Sequence, residues 1–194
     1  MLTPIFRVSF PYVFEPRDEN GKNKYSITML FSEDTEEIGI KAVPAVKETL
    51  AELKKAVLQC AHDKWGEKLP AKWKNPLRDG TEKVRDDGTF YDGYGEGVIF
   101  CTAKTEYKPG IVDSTNKPIV DTSEFYAGCY ARADVNLFAY DNPADKGGKG
   151  VSIGLTNIQK IKNGEPFRKA VAPENSFKPI KVDEPKSKIT LEDL

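Results

Sequence analysis

Residues 125–140 alternate between small apolar side chains and larger polar or aromatic ones, which restricts the fold more than any other stretch. The odd positions are Phe125, Ala127, Cys129, Ala131, Ala133, Val135, Leu137 and Ala139. The even positions are Tyr126, Gly128, Tyr130, Arg132, Asp134, Asn136, Phe138 and Tyr140. A period of two predicts one long β-strand, or two strands around a bend at Gly128. One face is then core, and the other presents aromatic rings interleaved with hydrogen-bonding groups.

Other segments also have strand patterns. One face of residues 4–14 carries Phe6, Val8, Phe10 and Tyr12, and one face of residues 24–31 carries Tyr25, Ile27, Met29 and Phe31. Asn20-Gly21 between these segments is a strong hairpin signal. Residues 98–107 predict a further strand with Ile99, Cys101 and Ala103 on one face, and Val151, Ile153 and Leu155 mark the last strand.

A helical region follows the predicted hairpin. Asp34 and Glu37 fit a helix start, whereas Gly39 and Pro44 interrupt the pattern, so the helix is broken or begins near Pro44. An apolar stripe at helical spacing consists of Val46, Leu50, Leu53, Val57, Ala61 and Trp65. Gly66 is placed to end this helix.

The remaining segments lack periodicity. Residues 67–97 and 108–122 read as long loops, rich in turn residues. About five strands with one helical region predict a mainly β protein, an OB-like five-stranded barrel, in residues 1–168. Beyond Gly164 prolines are scattered among charges, so residues 169–194 are expected to form a flexible C-terminal tail.

Charge and cysteine content exclude several classes of protein. The 194 residues carry 29 basic and 30 acidic side chains, so a nucleic-acid-binding surface needs its positive charge gathered on one face. Three widely spaced cysteines without a C-x-x-C motif argue against a disulfide framework and a zinc site. The chain has no signal-peptide pattern and no apolar run near the about 20 residues that cross a bilayer. We therefore expect a protein of the cytoplasm, without membrane association.

Three groups of residues are candidates for binding single-stranded DNA, which requires flat rings for bases and cations for phosphates. The even face of 126–140 offers Tyr126, Tyr130, Arg132, Asn136 and Tyr140. Its alternative is a strand buried on both faces, with the helix covering the aromatic rings.

The second group lies in residues 67–97. It combines the basic residue Arg78 with Tyr91 and Tyr94, which have glycine neighbours; the alternative is a solvated basic loop and a hairpin packed on the barrel. The third group consists of Lys104, Tyr107 and Lys108, and its alternative interpretation is a solvated strand end without a ligand.

Enzyme signatures are weak. Asp86, Asp87, Asp92 and Glu96 could bind Mg²⁺ in a nuclease, but Asp87-Gly88 and Asp92-Gly93 are ordinary turn pairs. We expect no catalytic residues, no metal site and no cofactor.

Several segments resemble a phage protein family in their order and spacing. They are Tyr25-Ser26-Ile27, Asn75-Pro76-Leu77-Arg78-Asp79-Gly80, Lys108-Pro109-Gly110-Ile111-Val112-Asp113, Phe125-Tyr126-Ala127-Gly128-Cys129-Tyr130-Ala131-Arg132-Ala133 and Gly154-Leu155-Thr156-Asn157-Ile158-Gln159-Lys160. The family was first catalogued as a domain of unknown function and is treated as phage single-stranded DNA-binding proteins. The resemblance covers roughly residues 4–168 and implies an OB-fold, sequence-independent binding and a role in replication or recombination. Such proteins often carry an acidic tail for partner recruitment, which only Leu191–Leu194 resembles here.

The expected function is therefore the coating of single-stranded DNA in the host-cell cytoplasm. Bases would stack on Tyr91, Tyr94, Tyr126, Tyr130 and Tyr140, and phosphates would contact Arg78, Lys104, Lys108 and Arg132. Asn136 would bond a base edge or sugar. The C-terminal tip would recruit replication or recombination proteins, and a homo-oligomer is compatible with the sequence. The alternatives are a protein–protein interaction module of a phage replication complex, whose interface also favours Tyr and Arg, and thirdly a metal-dependent nuclease.

Overall fold

The computed structural model describes residues 1–42 and 48–167, and in these residues seven strands form one sheet. The strands are β1 Phe6–Glu19, β2 Lys22–Phe31, β3 Arg78–Asp79, β4 Ile99–Thr105, β5 Gly110–Val112, β6 Tyr130–Asp141 and β7 Lys149–Lys162. Their order in the sheet is β3-β4-β2-β1-β6-β7-β5. The predicted tail at 169–194 lies outside the described residues.

The sheet closes into a barrel because β4 also pairs with β7. This contact is parallel and brings Ala103 opposite Ile153 and Lys104 opposite Gly154. The ring consists of β1, β2, β4, β7 and β6, and β3 and β5 flank it. The predicted OB-like five-stranded barrel is thus confirmed. The loops predicted at 67–97 and 108–122 each contain a short strand in addition, since β3 pairs with β4 and β5 pairs with β7.

The first hairpin forms as predicted, but its first strand changes phase. Asn20 and Gly21 have φ angles of 57° and 78°, which suits the two-residue turn between Glu19 and Lys22. The register shifts between Ser9 and Tyr12, and Phe10 adopts a φ of 44°. Such a bulge reorients the side chains that follow it. Phe10 therefore leaves the core face predicted for it, where Phe6 and Val8 remain.

Strand β2 is buried on both faces in its second half, although its period-two pattern is typical of a strand with one buried face. Ile27, Met29 and Phe31 face the barrel interior as predicted. Leu30, on the other face, is 2% exposed because the rings of Tyr94 and Phe100 pack against it.

Two helices follow the hairpin, α1 at Glu33–Ala42 and α2 at Leu50–Trp65. A capping box of Thr49 and Glu52 starts α2 at Leu50, and not near Pro44, which lies outside the described residues together with Val46. Gly66 ends the helix as predicted, donating its N–H to the carbonyl of His62. Neither helix is long and apolar enough to cross a membrane, and this holds for every helix in the described ranges.

Strand β6 places its small apolar residues in the barrel. Ala131, Ala133 and Val135 are at most 1% exposed, and such small side chains suit the narrow interior of five strands. Helix α2 packs against the same odd-numbered series farther along, at Leu137 and Ala139. It therefore does not cover the even-numbered aromatic residues, so the doubly buried alternative for this strand is wrong.

Candidate nucleic-acid interface

A groove runs along the seam where β4 meets β7. This seam groove encloses about 570 Å³. Its lining includes four cations and three aromatic rings: Lys24, Lys74, Arg78, Lys104, Phe100, Phe138 and Tyr140. The net charge of the chain is −1, and yet these cations are gathered on one surface, as a nucleic-acid-binding face requires.

The outer face of β6 is open because the neighbouring strand presents small residues to it. Tyr140 pairs with Gly150, Phe138 with Ser152 and Asn136 with Gly154. The Tyr140 hydroxyl lies directly over Gly150, and the Asn136 amide lies over Gly154. Phe138 remains 49% exposed. Large side chains opposite small ones leave flat ring surfaces accessible from the groove.

Each of two cations of the seam groove has a carboxylate partner. Lys104 Nζ lies 2.7 Å from Glu19 Oε1. Arg78 Nη2 donates to Glu82 Oε2 at 2.7 Å, and its guanidinium carbon lies 5.1 Å from the centre of the Phe100 ring. The Arg78 guanidinium also holds the pKa of the Glu82 carboxyl below its usual value. These pairs are solvent-exposed, so an incoming phosphate can compete for the cations.

An aromatic ridge leads away from the seam groove, formed by Phe100, Tyr94, Tyr91 and Phe10. The centres of the Phe100 and Tyr94 rings are 5.2 Å apart, those of Tyr94 and Tyr91 6.3 Å, and those of Tyr91 and Phe10 5.8 Å. Tyr94 is only 8% exposed, and burial raises the pKa of its hydroxyl. Its predicted stacking on a base does not fit this position, because neighbouring rings surround it, and it supports Tyr91 instead.

A second groove lies at the far end of the ridge. This far groove encloses about 660 Å³ and is lined by Phe10, Tyr12, Arg85, Tyr91, Tyr126 and Phe167, among others. Arg85 and Lys83 each place their charge 5.0 Å from the centre of the Tyr91 ring. Lys160 lies 5.6 Å from that of Tyr126. Positive charge thus surrounds both tyrosines.

One wall of the far groove is the segment 164–167, which fixes the end of the described chain to the barrel. The Tyr126 hydroxyl donates to the carbonyl of Gly164 at 2.9 Å, and Arg7 Nη2 donates to that of Glu165 at 2.8 Å. Gly128 has a φ of 111°, and a Cβ there would lie 2.2 Å from the Glu165 oxygen. Gly128 is thus more than the predicted bend, because only glycine permits this close approach.

Six predicted site residues are absent from the lining of both grooves, namely Tyr94, Tyr107, Lys108, Tyr130, Arg132 and Asn136. Tyr130 packs between the cations of Arg7 and Lys162, and Arg132 Nε donates to Gln159 Oε1 at 2.8 Å. Tyr107 and Lys108 are exposed beyond the end of β4, where Tyr107 is 83% accessible.

The sequence patterns missed six residues that the fold brings to the far groove and its ridge, namely Phe10, Tyr12, Lys83, Arg85, Phe100 and Phe167. The bulge hides Phe10 from an alternation argument, because it moves this ring to the opposite face. Lys83 and Arg85 flank Val84 in an irregular segment, and their alternate spacing was the only available signal.

Two of the acidic residues considered as Mg²⁺ ligands, Asp87 and Asp92, have partners within the 67–97 segment. Asp87 accepts hydrogen bonds from the Thr89 amide at 2.9 Å and hydroxyl at 2.6 Å, which hold its pKa below the usual value. Asp92 pairs with Arg85 at 3.1 Å. Within residues 1–42 and 48–167, no three His, Cys, Asp or Glu side chains are grouped to hold a metal ion. Cys60, Cys101 and Cys129 are free thiols, as predicted.

Comparison with known proteins points to phage DNA-binding proteins. Residues 1–187 match the family model described as Enterobacter phage Enc34, ssDNA-binding protein. Putative protein p50 of Acyrthosiphon pisum secondary endosymbiont phage 1 is 29% identical over 167 residues, which are 83% of this chain and 82% of that protein.

Solved structures show the same fold. The single-stranded DNA-binding protein of bacteriophage Enc34, in complex with ssDNA, superimposes with a TM-score of 0.63 at 21% identity, covering 86% of this chain and 88% of that one. The single-stranded DNA-binding protein gp2.5 of bacteriophage T7 gives 0.51 at 12% identity, covering 89% and 96%.

Proposed function

The chain belongs to the Enc34 ssDNA-binding protein family, and from this membership we propose that it coats single-stranded DNA without sequence preference during phage replication and recombination. It acts in the host-cell cytoplasm and has no catalytic activity of its own. Its partners are the DNA strand and replication or recombination proteins that recognise the C-terminal tip.

The position of the seam groove carries this proposal. OB barrels bind oligonucleotides on the face of their second and third strands, between the loop that joins strands one and two and the loop that joins strands four and five. In this barrel those strands are β2 and β4, and the loops are residues 20–21 and 142–148. The seam groove is lined by residues of β2, β4, β6 and β7.

The residues of the seam groove match the two needs of a single strand. Tyr140 and Phe138 offer rings on which bases stack, and Arg78 and Lys104 offer charges for phosphates. Asn136 is placed beside the rings to bond a base edge or sugar. We keep Tyr130, Arg132, Tyr107 and Lys108 as flanking contacts, because all four lie outside the grooves.

A titration at several salt concentrations tests the function directly. The logarithm of the association constant for a fluorescent oligothymidine should fall linearly with the logarithm of salt concentration. The expected slope is about −0.7 for each phosphate neutralised. A flat salt response would favour a protein–protein module instead, and loss of binding in chelator would favour a metal-dependent activity.

Removing the carboxylate that pairs with Lys104 should tighten DNA binding. In Glu19→Gln, Lys104 has no ion pair to break before it contacts a phosphate. An exposed ion pair of this kind stabilises the free protein by about 0–1 kcal/mol. Affinity for oligothymidine at low salt should therefore rise by up to about fivefold. Glu67→Gln is the matched control, because it changes the net charge equally at an exposed position outside both grooves. Equal effects of the two variants would contradict a local competition.

A further inference from the structure

The far groove has a different character from the seam groove. Its described lining combines five aromatic rings with one cation, Arg85, and one carboxylate, Asp92; the rings are those of Phe10, Tyr12, Tyr91, Tyr126 and Phe167. Its volume lies in the range of about 300–1,000 Å³ that is common for small-ligand sites. It lies beyond the strand faces on which an OB barrel is expected to bind DNA.

The cations around the far groove indicate which kind of ligand it can bind. Arg85 and Lys83 lie over Tyr91, and Lys160 lies over Tyr126. Aromatic surfaces next to cations complement a group that joins a flat ring to an anion. A nucleotide has this composition, since each base is followed by a phosphodiester. An uncharged apolar peptide would use the rings but would make no ionic contact with these cations.

The ridge connects the two grooves. Phe100 belongs to the lining of the seam groove, and Tyr91 and Phe10 belong to that of the far groove. Tyr94 fills the space between them and contacts the Phe10, Tyr91 and Phe100 rings. The two grooves are therefore joined by contiguous ring packing, in which Tyr94 and Phe100 are buried, with Arg78 at one end and Lys83 and Arg85 at the other.

We propose that the far groove is a second DNA subsite, which holds an unstacked nucleotide of the same strand that occupies the seam groove. This inference rests on the proposed function. The base lies against Tyr91 and Tyr126, and Arg85 exchanges Asp92 for a phosphate. The DNA path is thus longer than the outer face of the strands alone.

Ring-removing variants test the second subsite. Tyr91→Leu and Tyr126→Leu keep apolar bulk but remove the flat surface. Tyr91→Phe keeps the ring and serves as the matched control, whereas Tyr126→Phe keeps the ring but also removes the hydrogen bond to the Gly164 carbonyl. Affinity is measured for oligothymidines of about four to about sixteen nucleotides, the range of site sizes of OB domains. The leucine variants should lose about tenfold in affinity for the longest strand and little for the shortest.

A second measurement separates stacking from folding. Oligothymidine carrying iodinated uracil should cross-link to Tyr91 or Tyr126 on irradiation. Unchanged affinity of both leucine variants for every length, without such cross-links, would overturn the second subsite while wild-type binding leaves the proposed function intact. A loss in Tyr91→Phe as large as in Tyr91→Leu would also overturn it, because the ring would not be responsible. Absence of binding by the wild-type protein would instead refute the proposed function itself.

Discussion

Replacing Phe138 and Tyr140 together by leucine should weaken the binding of a long oligothymidine by more than tenfold. Each ring removed from a stacked base costs about 1–3 kcal/mol of binding free energy. Phe138 is 49% exposed and Tyr140 lies over a glycine, so the folded state needs neither ring for its core. Fluorescence anisotropy of a labelled strand at constant salt measures the loss.

The control for this double variant exchanges the two rings. Phe138→Tyr with Tyr140→Phe keeps both aromatic surfaces and moves only a hydroxyl, so its affinity should stay near that of the wild type. Circular dichroism should show the same fold in all three proteins. Wild-type affinity in the double leucine variant would place the DNA elsewhere and remove the seam groove from the proposed function.

Truncating Phe31 should have the largest effect on stability. The Phe31 side chain is 1% exposed, and its ring meets that of Phe6 edge-on, with 6.1 Å between centres. Phe31→Ala leaves a cavity in the barrel and should lower the free energy of unfolding by about 3–5 kcal/mol.

Urea denaturation followed by fluorescence measures this loss, and Phe90→Ala is the matched truncation at the surface. Phe90 is 42% exposed, so its removal should change the free energy of unfolding by at most about 0.5 kcal/mol. Similar losses in the two variants would mean that Phe31 does not belong to a tightly packed core.

The sequence predicts most of the barrel because the alternation of apolar and polar residues along a strand indicates which side chains are buried. Residues 125–140 show which side chains of β6 face inward, and the Asn20-Gly21 turn sets the pairing of β1 with β2. The openness of the outer face is harder to predict. It depends on Gly150, Ser152 and Gly154 of β7 lying opposite the large residues of β6, and this register follows from pairing between strands.

Two features of the candidate site were beyond the reach of local patterns. The bulge at Phe10 turns its ring to the outer face of the sheet, whereas strict alternation would place it on the same face as Phe6 and Val8. Tyr94 sits among glycines like an exposed loop residue, but tertiary packing against Leu30 and Phe100 buries it. In both cases the burial of the ring depends on contacts between segments that are distant in sequence, and the pattern of one segment does not predict such contacts.

The seam that closes the barrel also links folding to ligand occupancy. β4 and β7 meet in a short parallel pairing between residues about fifty positions apart, at Ala103 with Ile153 and Lys104 with Gly154. Joining segments this far apart carries a loop-closure entropy cost, which the contacts of the closed barrel have to offset. The groove exists only while the junction is closed. A ligand that binds in this groove therefore shifts the population toward the closed barrel by mass action. Binding of a nucleic acid there would raise the stability of the barrel.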